Sequence, residues 1–116
     1  MIEIRDTHTS AKIIFSGEYE SLKEAVGAAV KQGVSLYRAN LYKADLSGIR
    51  LKKANFLEAD LRLVNFNNAH LKNVHFQNAD LTHATFVNAT LKNIILQGAE
   101  IHYINLNGAK LLEVLF

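Results

Sequence analysis

The sequence contains no cysteine, no proline and no tryptophan, and only one methionine. Without cysteine there is neither a disulfide framework nor a thiolate metal site, and the simplest setting is a reducing cytoplasm. Without proline every residue keeps a backbone donor after the first, which suits segments that pair with neighbours along their length. Charge of one sign is also scarce. The net charge is +2, made of four basic and five acidic residues over 1–33 and nine basic and six acidic residues over 34–116. That balance is too even for a dedicated nucleic-acid binder and has the wrong sign for a polyanion mimic. Polar residues interrupt every apolar run well short of a membrane span, so no membrane association is expected. Met1, Ile2, Glu3, Ile4 and Arg5 do not form a basic region followed by an apolar run, so no signal peptide is expected. At 116 residues the chain is long enough for one unit with its own core.

What is present in quantity is a period. From position 36 to position 116 every fifth residue is Leu, Phe or, once, Ile, and two residues before each stands a small or β-branched apolar residue, from Val34 and Ala39 to Ala109 and Val114. Seventeen consecutive units keep both series. A unit that cannot bury its own apolar face must stack on its neighbours. In Ala59, Asp60 and Leu61 the two apolar positions flank a polar one, so an extended segment puts both on one side and the polar one on the other. The two remaining residues must turn the chain. If the turn is of type II, its third position has a positive φ, a slot suited to Gly48, Asn68, Asn88 and Gly108. Lys43, Leu63, His83 and Tyr103 would resist that conformation, so this column of corners is expected to turn without a positive φ.

The first third reads differently. Ile2 and Ile4 alternate with charges, residues 6–10 are polar, and an apolar β-branched segment resumes at residues 12–15. This predicts a hairpin. Ser21 and Glu24 have the spacing of a capping box, Leu22, Ala25, Val26, Ala29 and Val30 share one helical face, and Gly33 supplies a left-handed stop. A short helix from Ser21 is therefore expected, and with the hairpin it would cap the first coil over residues 1–33.

Units such as Ala44-Asp45-Leu46-Ser47-Gly48 and Ala59-Asp60-Leu61-Arg62-Leu63 resemble the pentapeptide repeat family, over residues 34–116. The resemblance implies a mainly β fold, a right-handed quadrilateral β-helix of about four coils with four units in each. The opening, residues 15–26, also resembles the leader of bacterial and phage members. A period of twenty has support in the residues themselves. It aligns Phe56 with Phe76 and Phe66 with Phe86 on two opposed walls, and leaves aliphatic columns such as Leu41, Leu61 and Leu81 between them, as a densely packed square interior requires.

Outward positions then carry any function. One wall gathers Arg50, Lys52, Lys53, His70, Lys72, Lys92 and Lys110, with Lys52, Lys72 and Lys92 forming a ladder suited to an anion or an acidic partner. The same wall is also what a solvated, aggregation-resistant surface looks like. Another wall stacks Asn40, Asp60, Asp80 and Glu100, which suit polar positions beside tight turns. His83 and His102 share a wall, whereas His70 and His75 do not; with no third ligand, no metal or cofactor is expected. No hydroxyl lies in a nucleophile motif, and a tower filled with side chains leaves no concave pocket, so catalysis is not expected.

At the far end Ile95, Leu111, Leu112, Val114, Leu115 and Phe116 form an apolar set on the last coils, which predicts a two-fold homodimer through that end. Two functions follow. The first is a rigid, non-catalytic protein-binding or scaffolding module with a protein partner. The second is implied by the resemblance: some family members imitate duplex DNA with an acidic rod and modulate the type II topoisomerase gyrase. This chain departs from that pattern in being net basic, short and without long loops between units. Direct nucleic-acid binding is disfavoured by the few aromatics near the lysines.

Overall fold

The computed structural model describes residues 1–116 and contains strands β1 (Ile2–Arg5) and β2 (Ile13–Gly17), helix α1 (Leu22–Lys31), and strands β3 (Arg50–Lys52), β4 (His70–His75), β5 (Thr90–Ile95) and β6 (Lys110–Leu115). β1 and β2 pair antiparallel with a bulge between Ile4 and Arg5, while β3 to β6 form a parallel four-stranded sheet in sequence order. Parallel neighbours are twenty residues apart throughout: Leu51 lies beside Leu71, Leu71 beside Leu91, and Leu91 beside Leu111. The other walls repeat this spacing as single bridges, Asn40 to Asp60 to Asp80 to Glu100 and Asn65 to Thr85 to Asn105. Four five-residue units therefore close each coil, and the chain is a mostly β solenoid of stacked coils.

The interior is filled as the spacing of aromatic residues requires. Phe56 stacks on Phe76 with ring centroids 5.4 Å apart and Phe66 on Phe86 at 5.0 Å. The two stacks meet edge to face, Phe66 against Phe76 at 6.0 Å and 73° and Phe76 against Phe86 at 6.3 Å and 86°. Edge-to-face contact sets the positive ring edge against the negative face, which adds to simple burial. Leu41, Leu61 and Leu81 fill the column between the stacks and are fully buried. Burial then runs out toward the last coil, where Ile101, Ile104, Leu106 and Ala109 are only partly covered.

The N-terminal third covers the opposite end. Ser21 caps α1 by accepting the amide of Glu24, and Glu24 reaches back to the amide of Glu20, one residue earlier than a standard box would take. At its other end the amide of Val34 donates to Ala29 and that of Gly33 to Val30, with Gly33 at φ +75°, the complete glycine stop. Ala25, Val26 and Ala29 are buried against the first coil. Beyond β1 the chain continues along that coil: the amide of Asn40 donates to Arg5, that of Thr7 to Arg38, and Asp6 bridges Ala39. Asp6 is itself buried and accepts the amides of Thr9 at 2.7 Å and His8 at 2.9 Å. Burial, the largest influence, opposes its ionisation, but these two amides with Lys12 outweigh it and hold the carboxyl below its ordinary 3.8.

The corners correct the sequence reading. All sixteen, from Arg38 to Glu113 at every fifth residue, have positive φ, including Lys43 at 61°, Leu63 at 60°, His83 at 61° and Tyr103 at 59°. The column expected to turn without positive φ does not. Three of its residues are held by the stack: the amides of Lys43, Leu63 and His83 donate to Arg62, Thr82 and His102 one coil on, and most corners also close with a bond such as Ala44 to Leu41, which at Tyr103, on the last coil, is the Ile104 to Ile101 bond alone. Two backbone bonds outweigh the roughly 1–2 kcal/mol by which an L side chain resists the left-handed region. What does vary is closure. The corner at Lys53 lacks the closing bond, and β4, β5 and β6 run through the equivalent corners as continuous strand. At Gly98 the Asn78 side-chain oxygen fills the space a Cβ would need, so a larger residue there would have to displace it.

Leu63→Asn is expected to raise stability to urea unfolding by up to about 1 kcal/mol, and Asn68→Val to lower it by about 1–2 kcal/mol, because a β-branched residue tolerates this conformation least. Negligible change in both would show that the corners do not feel their side chains. Asp6 has a depressed folded pKa, so its stabilisation is present above 3.8 and is lost as pH falls through the lower folded value. Asp6→Asn should therefore melt at a lower temperature than the parent at neutral pH, with the gap narrowing in acid below 3.8. A gap independent of pH would contradict this.

Candidate functional site

A concave site does exist, contrary to the expectation from a packed tower. The interior is full, but α1 leans against β3 and leaves a cleft of about 660 Å³ between the helix and the sheet of β3, β4 and β5. The floor is set by alternation along the strands. Leu51, Leu71 and Leu91 point into the tower, so the residues on either side of them point out. Two outward rows result: Arg50, His70 and Thr90 on one side, and Lys52, Lys72 and Lys92 on the other, each residue in register with the next. The helix adds Lys31, Val30 and Gly27.

The electrostatics are one-sided. Lys31, Arg50, Lys52, Lys72 and Lys92 line the cleft together with His70, and no carboxylate does. The four ion pairs of the protein use the N-terminus, Arg5, Arg38 and Arg62, so no lysine is paired with an acid. Of the predicted wall residues, Arg50, Lys52, Lys72 and Lys92 come together here. Lys53 sits at the corner just after β3 and Lys110 on β6 beside Thr90, both outside the cleft. Lys31 is the contributor the sequence reading missed. Its place in the last turn of an expected helix was visible, but nothing in the sequence says against which wall that helix rests.

The acidic wall is chemically occupied. Asp60 takes two bonds from the Arg62 guanidinium at 2.8 and 2.7 Å, which hold its carboxyl below the ordinary range and push Arg62 up. Asp80 accepts the hydroxyl of Thr82 at 2.6 Å and its amide at 3.0 Å. The pattern recurs around the tower, where Asn40, Asp45, Asn55, Asn65 and Asn105 each accept the amide two residues on. These side chains serve the turns. No three His, Asp and Glu side chains converge at metal-binding distance. His83 stacks on the ring of Tyr103 at 4.9 Å.

The predicted apolar end is open. Leu111, Leu112, Leu115 and Phe116 are each about half exposed, whereas Ile95 and Val114 are partly covered. Leu112 stands in register with Lys92, so the basic row ends there. β6 is an outer strand of its sheet. No helix is long and apolar enough to cross a membrane.

Comparison with known proteins agrees with this geometry. A profile of the pentapeptide repeat region matches residues 32–106. Among solved structures, alr5209, a pentapeptide repeat protein from Nostoc PCC 7120, is 32% identical with a TM-score of 0.68 over 72% of this chain and 70% of its own. HetL, a pentapeptide repeat protein involved in heterocyst differentiation regulation in the cyanobacterium Nostoc sp. strain PCC 7120, is 36% identical with a TM-score of 0.60 over 63% of this chain. The match spans only 34% of HetL's length. No curated protein sequence matches the chain. A stacked solenoid with a twenty-residue register and a matching family profile over most of its length leave one assignment: the chain belongs to the pentapeptide repeat family.

Proposed function

We propose that the protein is a rigid, non-catalytic binding module that engages a protein partner on its basic wall. The observation that carries this reading is the cleft beside α1, where five Lys and Arg side chains gather with no carboxylate among them. Like charges held in adjacent strands repel unless something negative intervenes, so a partner that supplies the counter-charge gains what the free wall lacks. The frame adds to this. A backbone already fixed in a hydrogen-bonded stack loses little freedom on binding, so the ordering cost of association falls on the side chains alone. The alternative, a DNA-mimicking modulator of gyrase, calls for a free acidic rod, and here the carboxylates of Asp60 and Asp80 are engaged within their own turns. HetL's part in regulation fits a module that binds rather than catalyses.

The open last coil is a second contact surface in this proposal. Leu111, Leu112, Leu115 and Phe116 offer apolar area beside an outer strand, and a second copy meeting it about a two-fold axis would cover both.

Co-purification from cells of the organism that encodes the chain should return the same partners with the parent and with Leu115→Lys/Phe116→Lys, and lose them with Lys72→Glu/Lys92→Glu. An identical set of proteins with the wall variant would remove the wall from the function. Sedimentation of the parent should show a dimer that dissociates on dilution and is absent in Leu115→Lys/Phe116→Lys. A parent that sediments as a monomer at all concentrations would refute the second contact.

A further inference from the structure

We propose that the cleft between α1 and the sheet takes an extended acidic peptide segment running up the stack, its carboxylates reaching alternately to the two basic rows. The inference rests on the binding-module reading above and names the chemistry of the occupant. The geometry of the rows favours it. Positions 50 and 52, like 70 and 72, are two residues apart on a strand, so the rows stand about 6.5–7 Å from each other. Successive coils lie about 4.8 Å apart, so Lys52 to Lys92 covers about 10 Å. An extended segment laid between the rows sends its side chains to opposite sides in turn, with same-side neighbours about 6.5–7 Å apart. Two acidic side chains then reach the Lys52, Lys72 and Lys92 row, and those between them reach Arg50, His70 and, from the helix side, Lys31.

Other polyanions match less of this. No Phe, Tyr or Trp lines the cleft, so a single-stranded nucleic acid finds only the His70 ring and the Arg50 guanidinium on which to stack its bases. A compact phosphate would meet one coil's cations and leave the ladder beyond it unpaired. Salt dependence is expected, since the lysines are solvated and unpaired before binding.

The test uses the full chain and a fluorescein-labelled hexaglutamate peptide, read by fluorescence anisotropy, with hexaglutamine, a single-stranded oligonucleotide and tripolyphosphate as comparison probes. Hexaglutamate should bind and hexaglutamine should not, and binding should weaken as salt is raised. Lys72→Glu/Lys92→Glu should weaken it about tenfold or more, whereas Lys53→Glu/Lys110→Glu, with the same change in charge on the same wall but outside the cleft, should stay within about twofold. Circular dichroism establishes that both variants keep the fold. Equal losses in the two variants would mean attraction to net charge alone and would overturn the proposal. Tighter binding of the oligonucleotide or of tripolyphosphate would overturn it as well. If hexaglutamate fails while partner co-purification still depends on Lys72 and Lys92, the wall remains the recognition face and only the extended acidic segment is lost.

Discussion

The hydrogen bonds between coils set the terms for everything else in this molecule. A backbone that turns a corner every five residues makes few bonds within a coil, so its amides must be satisfied by the coil above or below. The amide of Leu41 finds the carbonyl of Asp60, and the amide of Asp60 returns to the carbonyl of Ala39. Such reciprocal bonds hold only if each coil is the same length as the next, and that equality fixes which residues share a wall. The same requirement explains why sixteen corners of mixed composition adopt one backbone conformation. A corner that turned otherwise would leave amides on both neighbouring coils without partners, a larger loss than the strain in any one residue.

Much of this was legible in the sequence because the core is one-dimensional. A period of five identified the inward positions and a period of twenty aligned the phenylalanines, and both rest on apolar burial, which sequence records directly. The left-handed stop at Gly33 and the Ser21 cap were legible for a similar reason, since each follows from the chemistry of one or two residues. The corners were misread where local preference was taken to decide. Leu63 and His83 carry no sign in their own chemistry that they will be held at a positive φ by bonds one coil away. The cleft was hidden for a related reason. Its lysines were visible as a wall, but the concavity comes from where α1 rests, a tertiary fact that the helix's own residues do not encode in any periodic way.

The two charged walls show how outward rows can yield different chemistry. Asp60 and Asp80 each precede an inward leucine while Lys72 and Lys92 each follow one, and from their position the short acidic side chains fold back onto amides two residues along and are absorbed by the architecture. Lysine has no acceptor and a long stem, so it cannot serve a turn in this way. Its charge stays available to the outside. Side-chain length and donor type, together with place in the unit, therefore separate the wall that builds the tower from the wall that can address another molecule.

The twenty-residue coil also makes the surface into a frame that reads in quarter turns. Removal of one five-residue unit would leave the later apolar residues facing inward, yet would carry all later residues round to the adjacent side, parting Lys92 from Lys72 and, where the lost unit lies before it, Phe86 from Phe66. Only gain or loss of a whole coil keeps each face in line. A solenoid of this kind can thus change length in small steps and still turn its apolar residues inward, but it keeps a patterned exterior and aligned aromatic stacks only in steps four times as large.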